Sequence, residues 1–174
     1  MTVAFLSLGS NIEPKRNMLE AVKLLSRHVR ILKASTVYLT EPLKHKSQAA
    51  YYNCVLEVET DIEPHDLKFG VLRAIEDELG RKRTKDKYSS RTMDIDILLY
   101  GNLIVSTDEL VIPDPDIRRR EFLAIPLCEL KPDLVLPVAN LRLRDVAHRF
   151  KKPKIKELKS FTKSLQGLVG SLSV

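Results

Sequence analysis

The chain has 174 residues, of which 44% are apolar and 30% charged, with a net charge of +6. These totals describe one ordinary domain able to bury a sizeable core, and with no apolar run of 18 residues they exclude a membrane-spanning helix. Cys54 and Cys128 sit in apolar surroundings and read as buried thiols, which excludes a disulfide framework or a cysteine metal cluster.

The opening "MTVAFLSLGSN" lacks the basic and apolar regions of a signal peptide, so a cytoplasmic location is expected. The positive charge is unevenly spread. Nine Lys/Arg against Asp145 and Glu157 give residues 142–163 a balance of +7, whereas residues 1–141 hold 20 basic and 21 acidic residues. A nearly neutral body argues against nucleic acid as the partner of the whole domain.

In chain order, "VAFLSLGSN" reads as a strand ending in a Gly-Ser-Asn turn, and Pro14 suits a first helical turn. Apolar residues at 18, 21, 22, 25 and 29 predict a helix. "ILKASTVYLT" (31–40) predicts a second strand, and "EPLKHKSQAA" a polar loop. In "YYNCVLEVET" the alternation puts Tyr51, Asn53, Val55, Glu57 and Glu59 on one face and Tyr52, Cys54, Leu56 and Val58 on the other. A helix is expected from Pro64 to Gly80, then a basic loop, then a strand around Asp94. Gly101-Asn102 predicts a hairpin returning through "LIVSTDELVIP", and a short helix is expected around "REFLAIPLCEL". The order β-α-β-β-α-β predicts a ferredoxin-like α+β fold, an antiparallel sheet with helices packed on one face and additions at the C-terminus.

The chemistry concentrates in "RTMDIDILLYG", residues 91–101. On a strand Asp94 and Asp96 share a face while Ile95 and Ile97 turn to the core. Two adjacent carboxylates repel each other and need a cation. Either they form a solvated face paired with nearby lysines, or they bind a hard ion such as Mg²⁺, which takes one or two carboxylates plus substrate phosphates. The preceding loop "RKRTKDKYSSR" supplies Arg81, Lys82, Arg83, Lys85, Lys87 and Arg91 against Asp86 alone. Arginine forks match phosphate geometry, so a metal-bound nucleoside triphosphate fits this constellation. Neither a P-loop nor a kinase glycine-rich motif is present. An RNA-recognition domain would share the topology, but its strand should carry stacking aromatics where this one carries acids. A regulatory small-molecule-binding domain of the same fold is the remaining alternative.

"SLGSN", "YYN" at 51–53 and "GRKRTKDKYSSRTMDIDILLYG" followed by "VIPDPDIRRREFLAIPLCEL" resemble the 6-hydroxymethyl-7,8-dihydropterin pyrophosphokinase family, in the same order over roughly residues 2–138. The resemblance implies a ferredoxin-like fold and transfer of pyrophosphate from ATP to the pterin hydroxymethyl group in folate biosynthesis. It implies that Asp94 and Asp96 hold two Mg²⁺ ions and act in catalysis with Arg81 and Arg91. ATP is then expected at Glu76, Arg81, Arg83, Arg91, Ile97 and Arg120. The pterin is expected at Thr40, Pro42, Leu43, Tyr51, Asn53 and Phe122, with Tyr51 and Phe122 sandwiching the ring. Two stretches differ from the commoner family pattern: Tyr88-Ser89-Ser90 stands where a tryptophan followed by Gly-Pro is frequent, and Asp114-Pro115 where a histidine and an aromatic are common. Gly80 at the base of the basic loop suggests a lid. Residues 1–141 are expected to form the catalytic body and 142–174 a basic helix and tail of the same domain. Lysine-rich "KKPKIKELKSFTKS" reads as a poor core former, so deleting residues 152–174 is expected to change activity by no more than a few-fold; the alternative is a tail that folds over the active-site edge or mediates assembly, anchored by Phe161, Leu165 and Leu168. The sequence sets no oligomeric state.

Overall fold

Alternating apolar residues build the central sheet, and in the computed structural model, which describes residues 1–174, all of its strand pairs are antiparallel. Strand β1 (Thr2–Ser10) lies between β4 (Tyr51–Thr60) and β5 (Asp94–Tyr100). On its other edge β4 carries β2 (Arg30–Ala34) and then β3 (Tyr38–Thr40), and β3 also pairs with β8 (Lys156–Glu157) near the C-terminus. Helix α1 (Pro14–Leu25) links β1 to β2. The link from β4 to β5 is one helical run: α2 (Pro64–Asp66), a π segment (Leu67–Leu72) and α3 (Arg73–Glu78). Gly80, at φ 79°, ends it in the left-handed conformation that glycine adopts without strain.

Four expectations are corrected. The strand predicted over 31–40 is split, because Ser35 Oγ accepts from Val55 N at 2.9 Å and its hydroxyl replaces a ladder carbonyl. The predicted hairpin after Gly101 does not return onto β5. Instead β6 (Val105–Ser106) and β7 (Val111–Ile112) form a separate ribbon. The outer edge of β5 is already in use: Ile95 N donates to Glu76 Oε1 at 2.8 Å, and Leu98 O accepts from Asp114 N at 2.9 Å.

Nor do the helices cover only one face. Ala4, Leu6, Leu8, Cys54, Leu56, Ile95 and Ile97 face α1 and α6 (Lys159–Leu172) in the larger core. Phe5, Val55 and Leu98 face α4 (Glu121–Leu130) and α5 (Leu143–His148) in a second core. Glu57, which alternation assigns to the polar face, is consequently buried under the end of α4, where Lys131 Nζ pairs with it at 3.1 Å.

The basic tail, expected to be peripheral, is built in. Its lysines stay in solvent while Phe161, Leu165 and Val169 of α6 enter the larger core at helical spacing. Val37 N donates to Thr162 Oγ1 at 2.9 Å, and Lys154 N donates to Glu121 Oε1 at 2.9 Å. The tail thus ties both β3 and the start of α4. Leu165→Ala should cost about 2–5 kcal/mol in urea unfolding, whereas Leu172→Ala, at an exposed position, should change stability by under about 0.5 kcal/mol.

Candidate active site

The site grows from the end of the sheet where β1, β4 and β5 lie side by side. Gly9 is opposite Asn53 on one side and Asp94 on the other, and Ser7 is opposite Val55 and Asp96. Side chains two apart on a strand share a face, so Tyr51, Asn53, Asp94 and Asp96 continue the face that further along packs beneath α4. A Cβ on Gly9 would lie 2.8 Å from Asn53 Oδ1, so the glycine lets this amide lie flat across the middle strand. Asn53 Nδ2 donates to Thr40 Oγ1 at 2.7 Å, which fixes the amide further.

Two cavities meet here. The first, of about 270 Å³, lies between this sheet end and the start of α4, with Thr40, Leu43, Tyr51, Asn53, Arg120 and Phe122 among its walls. The second, of about 340 Å³, lies between the helical run and the basic loop, and is lined by Lys68, Glu76, Arg81, Arg83 and other polar groups. Asp94, Asp96, Lys87 and Arg91 line both.

The carboxylate pair is neutralised from three directions. Asp94 accepts from Arg81 Nη1 at 2.5 Å and from Arg91 Nη1 at 2.9 Å. Lys68 Nζ lies 3.2 Å from Asp96 Oδ1. The arginines are themselves braced: Arg81 pairs with Glu76 at 3.2 Å and donates to Met93 O at 3.3 Å, while Arg91 donates to the carbonyls of Ser89 and Lys87. Glu76 is buried, and burial raises its pKa against the opposing bond from Ile95 N and the charges of Arg81 and Arg83. Loss of hydration in the cleft, and then the charge of Asp94, push Asp96 up to about 6 despite Lys68. Asp94 and Asp96 are two hard oxygen donors side by side, a set that fits Mg²⁺ with its remaining positions open to other oxygens.

The basic loop borders both cavities and is tied to neighbouring segments. Asn11 accepts from Arg91 N at 2.9 Å and donates to Ser90 Oγ at 3.2 Å. Gln48 donates to Tyr88 O, His45 bonds Asp86, and Tyr51 OH donates to Ser89 O. Of the residues expected to bind ATP, Glu76, Arg81, Arg83 and Arg91 line the polar cavity, whereas Arg120 lines the other. Ile97 lines neither, its side chain being in the core; by strand alternation its main chain turns to the same outer edge as that of Ile95. Pro42 is buried beside the first cavity and does not line it. Asp114 and Asp116 do line it. Sequence reasoning missed Lys68, a single lysine in a helix, and gave no role to Asn11 although it ends the quoted "SLGSN".

Residues 5–132 match the family model for 7,8-dihydro-6-hydroxymethylpterin-pyrophosphokinase. The chain belongs to this family. The 2-amino-4-hydroxy-6-hydroxymethyldihydropteridine pyrophosphokinase of Haemophilus influenzae is 38% identical over 144 residues, covering 81% of this chain and 89% of that protein. A folic acid synthesis protein of Pneumocystis carinii is 36% identical over 159 residues, which are 90% of this chain but only 21% of the fungal protein. In structure, a Plasmodium falciparum HPPK-DHPS superposes with a TM-score of 0.70 at 14% identity, over 86% of this chain and 42% of that one, which is a likeness of fold. No helix is long and apolar enough to cross a membrane.

Two outcomes are expected. Gly9→Ala should displace the Asn53 amide and weaken binding in the first cavity by about tenfold, with an unchanged circular dichroism spectrum. Carboxyl-selective NMR should find Asp96 titrating near pH 6, well above the ordinary aspartate value. The folded state then holds this proton more tightly than the unfolded chain. The stability contributed by protonating Asp96 is absent above that pH, grows as pH falls through about 6 and is complete below the unfolded value.

Proposed function

We infer that this chain is a working pyrophosphokinase of folate biosynthesis, with the pterin in the first cavity and ATP in the polar one. The observation that carries this reading is that the two cavities share Asp94 and Asp96. An acceptor hydroxyl from one side and a phosphate chain from the other meet at one carboxylate pair. Tyr51 and Phe122 offer flat apolar surfaces to the pterin ring, and Asn53 and Thr40 offer hydrogen bonds to its edge.

The hydroxymethyl oxygen attacks the β-phosphorus of ATP in line. The new bond is O–Pβ, the bond between Pβ and the α,β-bridging oxygen breaks, and AMP leaves with that oxygen while the hydroxyl proton passes to solvent. Such a transfer asks the protein for positioning and charge neutralisation. Asp94 and Asp96 would hold Mg²⁺, two ions with ATP, which supplies phosphate charge neutralisation and a more acidic attacking hydroxyl. Arg81, Arg83 and Arg91 face the phosphates from the loop, Arg120 faces the transferred group from the pterin side, and Glu76 holds Arg81 and Arg83 in place. The main chain of Ile97 borders the nucleotide. Closing over bound ATP, the basic loop would keep water away from the phosphates.

With purified protein, ATP, Mg²⁺ and 6-hydroxymethyl-7,8-dihydropterin, AMP should form in a 1:1 ratio to pterin consumed, and only when the pterin is present. Formation of ADP, or AMP release independent of pterin, would contradict the assignment. Asp96→Ala should lower turnover by at least about a hundredfold while leaving the unfolding midpoint within a few degrees of wild type.

A further inference from the structure

Lys68 is the one cation on Asp96, and nothing else holds it. Its Nζ hydrogen-bonds and ion-pairs to Asp96 alone, at 3.2 Å, whereas each arginine on Asp94 is also tied to backbone carbonyls. A lysine ammonium is a compact charge on a flexible stem, easily moved, while a braced guanidinium is not. The side chain is 27% exposed and lines the polar cavity.

Its placement depends on an irregularity of the helix. Lys68 and Glu76 both reach β5, Lys68 to Asp96 and Glu76 to Ile95 N. Eight residues apart in an unbroken α-helix, they would point roughly 80° away from each other. The wider i→i+5 turns of the π segment Leu67–Leu72 absorb this difference and bring both side chains onto the face that meets the strand. A backbone departure that aims one lysine at one carboxylate is a specific device. A divalent cation arriving at Asp96 would meet the ammonium already there, and like charges at that distance repel. The displaced ammonium already borders the polar cavity, which Arg81 and Arg83 also line.

We propose that Lys68 is a displaceable counter-ion that becomes a nucleotide-binding residue: it holds Asp96 in the free protein, yields it to a divalent cation, and turns onto the phosphate chain. The proposal rests on the nucleotide reading of the polar cavity. The test uses the full chain as wild type, Lys68→Met, Lys68→Gln and Lys68→Arg, with two readouts. Mn²⁺ binding to the free protein is followed by electron paramagnetic resonance, and the Kd of Mg²⁺·α,β-methylene-ATP by calorimetry. Lys68→Met and Lys68→Gln should bind Mn²⁺ several-fold more tightly and the analogue about tenfold more weakly, and Lys68→Arg should recover most of the analogue affinity. Unchanged values in both readouts overturn the proposal. So does weaker Mn²⁺ binding in the variants, which would make Lys68 a structural support for Asp96. Failure of the wild type itself to bind the analogue overturns the nucleotide reading, and this inference with it.

Discussion

Two carboxylates two residues apart on one strand, at the floor of a cleft, cannot both be charged without cations beside them. The local architecture answers that constraint. Asp94 takes two arginines from the loop, Asp96 takes a lysine from the helical run, and Glu76 beneath them joins helix, strand and loop through Ile95, Arg81 and Arg83. The free protein is therefore charge-balanced in a form that substrates must rearrange. Negative phosphates and a divalent cation would exchange partners with these groups and leave the net balance similar.

The fold places this cluster by sheet geometry. Three adjacent strands end together, and Gly9 in the middle one leaves room for Asn53 to lie over it. The second core, under α4, stops just before this end, so the face that is apolar at Phe5, Val55 and Leu98 becomes polar at Asn53, Asp96 and Asp94. The elements behind the first cavity are in turn braced from far along the chain. Lys154 and Thr162 connect the tail to α4 and to the segment leading into β3.

Much of this was legible in the sequence. The β-α-β-β-α-β order follows from periodicity, and the common face of Asp94 and Asp96 from strand alternation. The family followed from motifs that hold strands, loop and acids in one order. What was not legible depends on contacts between distant segments. Glu57 looks solvated until Lys131 and α4 cover it. Residues 151–172 look too polar for a core because six lysines outnumber the three apolar residues that α6 turns inward. The alternative of a carboxylate face paired with lysines was half right: Lys68 does pair with Asp96, in the same cleft where a cation would bind. No local signal announces the π segment that delivers it.

A carboxylate pair shared by both cavities should couple the binding of their two ligands. Calorimetry of the dihydropterin, with and without saturating Mg²⁺·α,β-methylene-ATP, tests that coupling most directly. The predicted result is markedly tighter pterin binding in the presence of the nucleotide, and loss of that enhancement in the Asp94→Asn/Asp96→Asn variant. An enhancement that survives intact in the double variant would contradict it, because the two sites would then communicate by a route that does not pass through the pair.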